Sequence, residues 1–393
     1  MTTPISDGAV ADPDALTAQG WDALRRRDGR VALPLFERAL ALRAGDANGW
    51  YGLAYARRMA GDTAGHLDAL DRCLTLAPGH LLALMMKGDH YAASGDGRSA
   101  YAYYRAAVKH APPAETLAPD LRGEIARAER EVARLAKGFE QSFELSLTKS
   151  GADPRKASPR AARAVDLLLG RSEIFLQEPT ALYFPELPNR QFFEREEFDW
   201  LPALEAQTDA MRDELQGILA ADAKAFEPYV KLDTRRPPGF MNDMVGNPSW
   251  SAFYLWKGGE VVPEARERCP RTLAALEAVP LSKAPGRTPS VLFSLMRPRS
   301  HIPAHTGQLN TRLICHLPLI VPPGCTFRVG SESREWVEGQ TLIFDDSIEH
   351  EAWNRSDRLR VVLLFEVWRP ELSEAERAAV AAMLSSVAGY DNG

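Results

Sequence analysis

Two histidines and one arginine in the last third of the chain have the types and spacing needed for metal chemistry. His305 lies in Ser300-His-Ile-Pro-Ala-His-Thr-Gly307, and His350 lies forty-five residues on, in Asp345-Asp-Ser-Ile-Glu-His-Glu351. Arg360 follows ten residues later, inside Arg358-Leu-Arg-Val-Val-Leu-Leu-Phe365. Imidazole suits iron, and two such ligands leave coordination positions open. An arginine that alternates with Val362 and Leu364 on an apolar strand needs an anionic partner, because a lone buried charge is costly. The set points to a metal centre beside a carboxylate-bearing small molecule. An internal acid such as Glu366 is the alternative partner for Arg360.

These side chains need a rigid frame. Strand-like runs follow in quick succession at 290–296, 311–320, 325–329, 334–337, 340–344 and 359–367. Short strands with intervening turns argue for a barrel or sandwich rather than βαβ units. His305 and His350 fall in polar turns at strand edges, beside the barrel mouth, and His301 reads as a solvated loop residue. By alternation Ser294 and Met296 share one strand face, as do Arg312 and His316. Trp250 opens a strand-like run to Trp256 and either lines a substrate cleft or packs in the core. Helices are expected at 197–219, 263–278 and 373–384. Asp345 and Asp346 are rival candidates for a third ligand, although a carboxylate in such a turn commonly accepts from backbone N–H groups.

The first third of the chain has a different period. Gly20, Ala54 and Gly88 are 34 residues apart, as are Ala32, His66 and Ala100, and Phe36, Leu70 and Tyr104. Ala39, Cys73 and Ala107 form a fourth column, and Ala44, Pro78 and Pro112 a fifth. The register resembles the tetratricopeptide repeat, an α-solenoid of paired helices. The expected organisation is a disordered leader at 1–14, a helical domain with a capping helix at 15–149, a breaker-rich linker at 150–179 and a β-barrel domain at 180–393. Net charge is −6 over 393 residues, which gives no support for nucleic-acid binding. No apolar run reaches the roughly 20 residues that span a bilayer, and the N-terminus lacks the pattern of a signal peptide. Four scattered cysteines without CxxC spacing read as free thiols in a reducing cytoplasm.

The segments Phe293–Gly307, Asn310–Leu319 and Phe344–Glu351 resemble the aspartyl/asparaginyl β-hydroxylase family, and Phe192–Trp200 is similar to the family's domain entry. The resemblance covers about residues 180 to 370. It implies a double-stranded β-helix (jelly-roll) that uses Fe(II), 2-oxoglutarate and O2, with His305 and His350 on the metal and Arg360 on the distal carboxylate of 2-oxoglutarate. Ser294, Met296 and His316 match co-substrate positions. Arg312 and Trp250 are assigned to substrate. Gly307 stands where the wider superfamily has its carboxylate ligand, as in this family. Family members often carry a second arginine two residues before His316, a place taken here by Ile314. The implied substrate is an aspartyl or asparaginyl side chain of a protein, peptide or small molecule. The repeats would recruit a protein partner. The alternative is a non-catalytic scaffold in which repeats and barrel bind partners.

Overall fold

The computed structural model describes residues 12–151, 153–222, 225–231 and 242–391. The chain divides into two compact units, 1–171 and 172–393.

In the first unit, α1 (Pro13–Arg25), α2 (Gly29–Leu42), α3 (Ala47–Met59), α4 (Thr63–Leu76), α5 (Leu81–Ala93) and α6 (Gly97–His110) form three helix pairs. These lead into the long α7 (Pro119–Ser150) and the short α8 (Pro159–Leu168). The 34-residue period is also a capping period. Asp28, Asp62 and Asp96 accept from the backbone N–H of Val31, Gly65 and Ser99 at 3.1, 2.9 and 3.0 Å, starting the second helix of each pair. The small columns face the large ones. A Cβ added to Gly20 would lie 2.8 Å from the Phe36 ring, and one on Gly88 2.8 Å from Tyr104. His66 is buried and its Nδ1 lies 2.9 Å from the Ala54 carbonyl, a packing role. Helix α1 starts inside the segment expected as leader, with Asp12 as its cap; residues 1–11 lie outside the described residues. Gly151, at φ 68°, ends α7 in the left-handed region.

The second unit is built on strands β1 (Phe192–Phe193), β2 (Glu227–Pro228), β3 (Trp250–Lys257), β4 (Glu260–Val261), β5 (Val291–Met296) and β6 (Ser300–His305). It continues with β7 (Arg312–Ile320), β8 (Cys325–Val329), β9 (Glu332–Glu335), β10 (Leu342–Phe344), β11 (His350–Asn354) and β12 (Arg360–Trp368). One antiparallel sheet runs β1-β10-β7-β12-β5-β3-β2, with β4 on β3; the other runs β6-β11-β8-β9. Helices α9 (Leu201–Glu205), α10 (Thr208–Ala221), α11 (Pro263–Arg268), α12 (Pro270–Leu276) and α13 (Glu374–Asp391) complete the unit. The helices expected at 197–219 and 263–278 are each two. The second breaks at Cys269, because a residue preceding proline is pushed out of the helical region.

Alternation sorts the larger sheet cleanly. Leu313, Cys315 and Leu317 of β7 and Val361, Leu363, Phe365 and Val367 of β12 pack in one apolar cluster with Leu201, Met211, Leu215 and Ile218 of α9 and α10. The opposite face contributes Met296, Ile314 and Val362 to a second cluster shared with Phe327, Val329 and Ala352 of the smaller sheet. The polar residues singled out above fall on this second face.

Besides the two-residue strands β1, β2 and β4, the sequence reading missed β6 and β11, and these two hold His305 and His350. His301 sits on β6 rather than in a loop, its ring stacked on Trp353 at 5.0 Å with Nε2 3.1 Å from Glu351.

Candidate active site

His305 and His350 are direct partners across β6 and β11, with ring centroids 4.1 Å apart. Between this pair and Ile302↔Ala352, β6 spends three residues where β11 spends two. That is a bulge at Pro303–Ala304, where proline has no N–H to give to the ladder. The bulge turns His305 back so that Nδ1 lies 2.7 Å from the Pro303 carbonyl. His350 repeats the arrangement, with Nδ1 3.1 Å from the Ile348 carbonyl. A carbonyl only accepts, so each Nδ1 carries the proton and each Nε2 keeps its lone pair. Burial, and then the neighbouring His350, holds the pKa of His305 down to about 3. Burial holds His350 down to about 4. Both rings are neutral at pH 7, as a metal ligand must be.

A cavity of about 690 Å3 opens on this pair, and its wall includes His305, His350, Arg312, His316, Arg360 and Glu366. Arg360 is 1% exposed. Its guanidinium lies 4.1 Å from the centre of the Trp336 ring, while among the described residues Nε and Nη1 have no hydrogen-bond partner. Burial alone drags its pKa down to about 9. Glu366 does not relieve it. Six residues along the same strand is roughly 20 Å, and Glu366 instead pairs with Arg312 at 3.0 Å. His316 also reaches the cavity with an unpartnered buried Nδ1, and burial, then Arg360, keeps it neutral.

Ser294 and Trp250 lie on the same wall, joined by a hydrogen bond in which Trp250 Nε1 donates to Ser294 Oγ at 3.1 Å. Trp250 is therefore both a core and a wall residue, stacked on Tyr229 at 4.1 Å. Met296 is opposite both Arg360 and Trp250 in register, is fully buried, and packs with Trp250, Ile314 and Val362 in the second apolar cluster.

The two aspartates separate. Asp345 is fully engaged: Oδ1 accepts from the Ser347 N–H and hydroxyl at 3.0 and 2.5 Å, and Oδ2 from Gln177 and Arg369 at 2.6 and 2.7 Å. It is the turn-binding carboxylate. Asp346 Oδ2 lies 3.4 Å from Arg312, while its buried Oδ1 has no hydrogen-bond partner among the described residues. A Cβ on Gly307 would collide with this carboxylate, so Asp346 fills the space that a side chain at Gly307 would take. Among the described residues no three His, Cys, Asp or Glu side chains converge as a metal cage. A metal here would be held by two imidazoles, with a carboxylate nearby.

Three features were not read from the sequence. Trp336 braces Arg360. Asn354 pins the turn ahead of Arg360, donating from Nδ2 to the carbonyls of Met296, Arg297 and Arg358 at 3.3, 3.0 and 2.8 Å. Glu366 is the counter-ion of Arg312. Only the last left a signal, since alternation puts Arg360 and Glu366 on one strand face and leaves that acid needing a partner on the next strand.

The segment 205–370 matches the family model for aspartyl/asparaginyl beta-hydroxylase. Ornithine lipid ester-linked acyl 2-hydroxylase of Rhizobium tropici is 33% identical over 201 residues, covering 50% of this chain and 67% of that protein. Mouse aspartyl/asparaginyl beta-hydroxylase is 40% identical over 136 residues, covering 34% of this chain and 18% of that protein. Human aspartate beta-hydroxylase domain-containing protein 2 is 30% identical over 208 residues, covering 52% and 54%. PcrH from Pseudomonas aeruginosa, a solved structure, is 18% identical over 31% of this chain and 90% of that chain, with a TM-score of 0.28. The chain belongs to the aspartyl/asparaginyl beta-hydroxylase family, although it spans only 18% of the mouse protein and about half of domain-containing protein 2.

Proposed function

We propose that the chain is an Fe(II)- and 2-oxoglutarate-dependent dioxygenase that hydroxylates an aspartyl/asparaginyl-type side chain of a protein, peptide or small molecule. In this reading the two sheets form a double-stranded β-helix, and the helical repeats recruit a protein partner. One observation carries it: a buried guanidinium with no acid partner among the described residues faces the same cavity as two neutral imidazoles whose Nε2 lone pairs are left by protonation at Nδ1. An unpaired buried charge is retained only where a partner arrives.

His305 and His350 would hold the iron. Arg360 would take the distal carboxylate of 2-oxoglutarate by a planar, bidentate pairing, with Trp336 fixing the plane of the guanidinium. Ser294 and His316 would line the co-substrate, Ser294 held in place by Trp250. When bound, iron with 2-oxoglutarate and O2 supplies oxidation of a C–H bond, with release of succinate and CO2. The chain's own part is to bind, orient and exclude water. The four cysteines are free and buried, consistent with a cytoplasmic location in which iron stays ferrous. Among the described residues no helix is long and apolar enough to cross a membrane. A scaffold with a non-catalytic barrel would gain nothing from the strain of Arg360, and no observation favours it.

The test is anaerobic reconstitution with Fe(II), then 2-oxoglutarate, O2 and peptides from a cell lysate. Succinate formation coupled to a 16 Da gain on a side chain is expected. Absence of both stoichiometric iron binding and 2-oxoglutarate binding would overturn the reading.

A further inference from the structure

With two protein ligands for a metal, the relative placement of His305 and His350 must be set by the turns that carry them. Those turns are 305–310 and 345–350. They meet directly where the Gly307 N–H donates to the Asp346 carbonyl at 2.6 Å. Residues 172–190, which precede the segment 205–370 matched to the family, lie across both turns. The Glu178 N–H donates to the Ser347 carbonyl at 2.7 Å and the Thr180 N–H to the Gly307 carbonyl at 2.9 Å. Those of Ala181 and Leu182 both donate to the Gln308 carbonyl at 3.0 Å. Gln177 is the antiparallel bridge partner of Ile348, the residue whose carbonyl orients His350. The Gln177 side chain then joins the two turns. Its Nε2 donates to Asp345 Oδ2 at 2.6 Å and to the Pro188 carbonyl at 3.1 Å, and its Oε1 accepts from Asn310 Nδ2 at 3.1 Å. Asp345 and Asn310 are fully buried. Asn310 is itself fixed, since Oδ1 accepts from the Phe184 N–H at 2.7 Å and Nδ2 donates to the Phe184 carbonyl at 2.9 Å. The Asp345 carboxylate can only accept and the Asn310 Nδ2 can only donate. An amide at 177 satisfies both, and neither an ionised carboxylate nor an apolar side chain does.

We propose that Gln177 is a positioning residue of the metal site, holding the two ligand-bearing turns together from outside the segment matched to the family. The proposal rests on the reading that His305 and His350 hold a metal. Loss of the amide strands no group: Asp345 keeps Ser347 and Arg369, and Asn310 keeps Phe184. The chain should therefore fold without it, with its two turns joined less rigidly. Groups that orient metal ligands directly carry about 10–100-fold in metal affinity, so Gln177, one bond further out, is expected to carry about tenfold.

The experiment titrates the full chain with Co(II) alone and reads both the visible ligand-field band and the dissociation constant. Gln177→Met keeps the side-chain volume and removes both hydrogen-bonding groups. It is expected to bind Co(II) about tenfold more weakly, with an altered band, while circular dichroism stays native. Asn189→Ala removes a bond internal to the same stretch, from Nδ2 to the Phe175 carbonyl at 2.8 Å, and should bind Co(II) like the wild type. Co(II) affinity of Gln177→Met within about twofold of the wild type overturns the proposal. Equal weakening in the two variants also overturns it, because the stretch would then act through stability alone. Should Gln177→Met not fold, amide hydrogen exchange of the wild type decides. Co(II) should slow exchange of the Glu178 and Thr180 amides, which bond to the two turns, and unchanged exchange there overturns the proposal. A wild type that binds no Co(II) removes the metal reading and the proposal with it, whereas tight wild-type binding with an unaffected Gln177→Met removes the proposal alone.

Discussion

The two faces of strand β12 obey different rules. On one, Val361, Leu363, Phe365 and Val367 are completely buried against helices, and nothing polar is left over. On the other, Arg360 and Glu366 are buried; Glu366 pairs with Arg312, whereas among the described residues Arg360 Nε and Nη1 have no hydrogen-bond partner. The first face maximises the area removed from water. The second holds charges and lone pairs at fixed places at the expense of stability, as a binding site does. The same nine-residue strand therefore serves as core on one side and as receptor on the other.

The comparison can be broken by mutation. The largest effect is expected at the metal: His350→Ala should abolish iron binding, measured by metal analysis, while circular dichroism stays native. Full iron stoichiometry in that variant would sink the ligand assignment. On the helix-facing side, Phe365→Ala should cost about 3–5 kcal/mol in urea unfolding, with co-substrate affinity retained in whatever remains folded. Its ring meets Trp200 edge-on at 6.1 Å, so the space left cannot close easily. Arg360→Met should do the reverse on the cavity side. It should raise the stability of the metal-free protein, by a gain on the order of 1–4 kcal/mol, while co-substrate binding is lost. A destabilised Arg360→Met would mean that the guanidinium has a partner after all.

The smallest effect concerns pH. The folded pKa values of His305 and His350, about 3 and about 4, lie below their ordinary 6.5, so between these limits the unfolded chain binds more protons than the folded one. Stability of the metal-free protein should therefore fall as pH drops from 6.5 towards 4, with a slope of up to about 1.4 kcal/mol per pH unit for each histidine. The double variant His305→Ala/His350→Ala should show a flatter profile between pH 7 and pH 4.5. Parallel profiles would indicate that the rings are not held neutral.

What could be read from sequence followed from periodicity. The 34-residue columns gave the helix pairs, and alternation along 312–316 and 360–366 assigned polar residues to one sheet face. The strands β6 and β11 escaped because Pro303 and the charged Glu349 and Glu351 look like turn residues. The bulge that turns His305 inward depends on pairing across 45 residues and leaves no local pattern. Trp336 and Asn354 act on Arg360 from other strands and turns, so nothing near Arg360 announces them.

The central claim is that Arg360 is orphaned because a carboxylate of 2-oxoglutarate is its partner. The most direct test titrates the Fe(II)-loaded protein with 2-oxoglutarate under anaerobic conditions and follows the metal-to-ligand charge-transfer band. Losing a charge-assisted pair from a buried site costs about 2–5 kcal/mol. Arg360→Ala should therefore weaken 2-oxoglutarate roughly thirty-fold or more with iron binding unchanged, and Arg360→Lys should recover only part of the loss. Equal 2-oxoglutarate affinity in the wild type and Arg360→Ala would contradict the account.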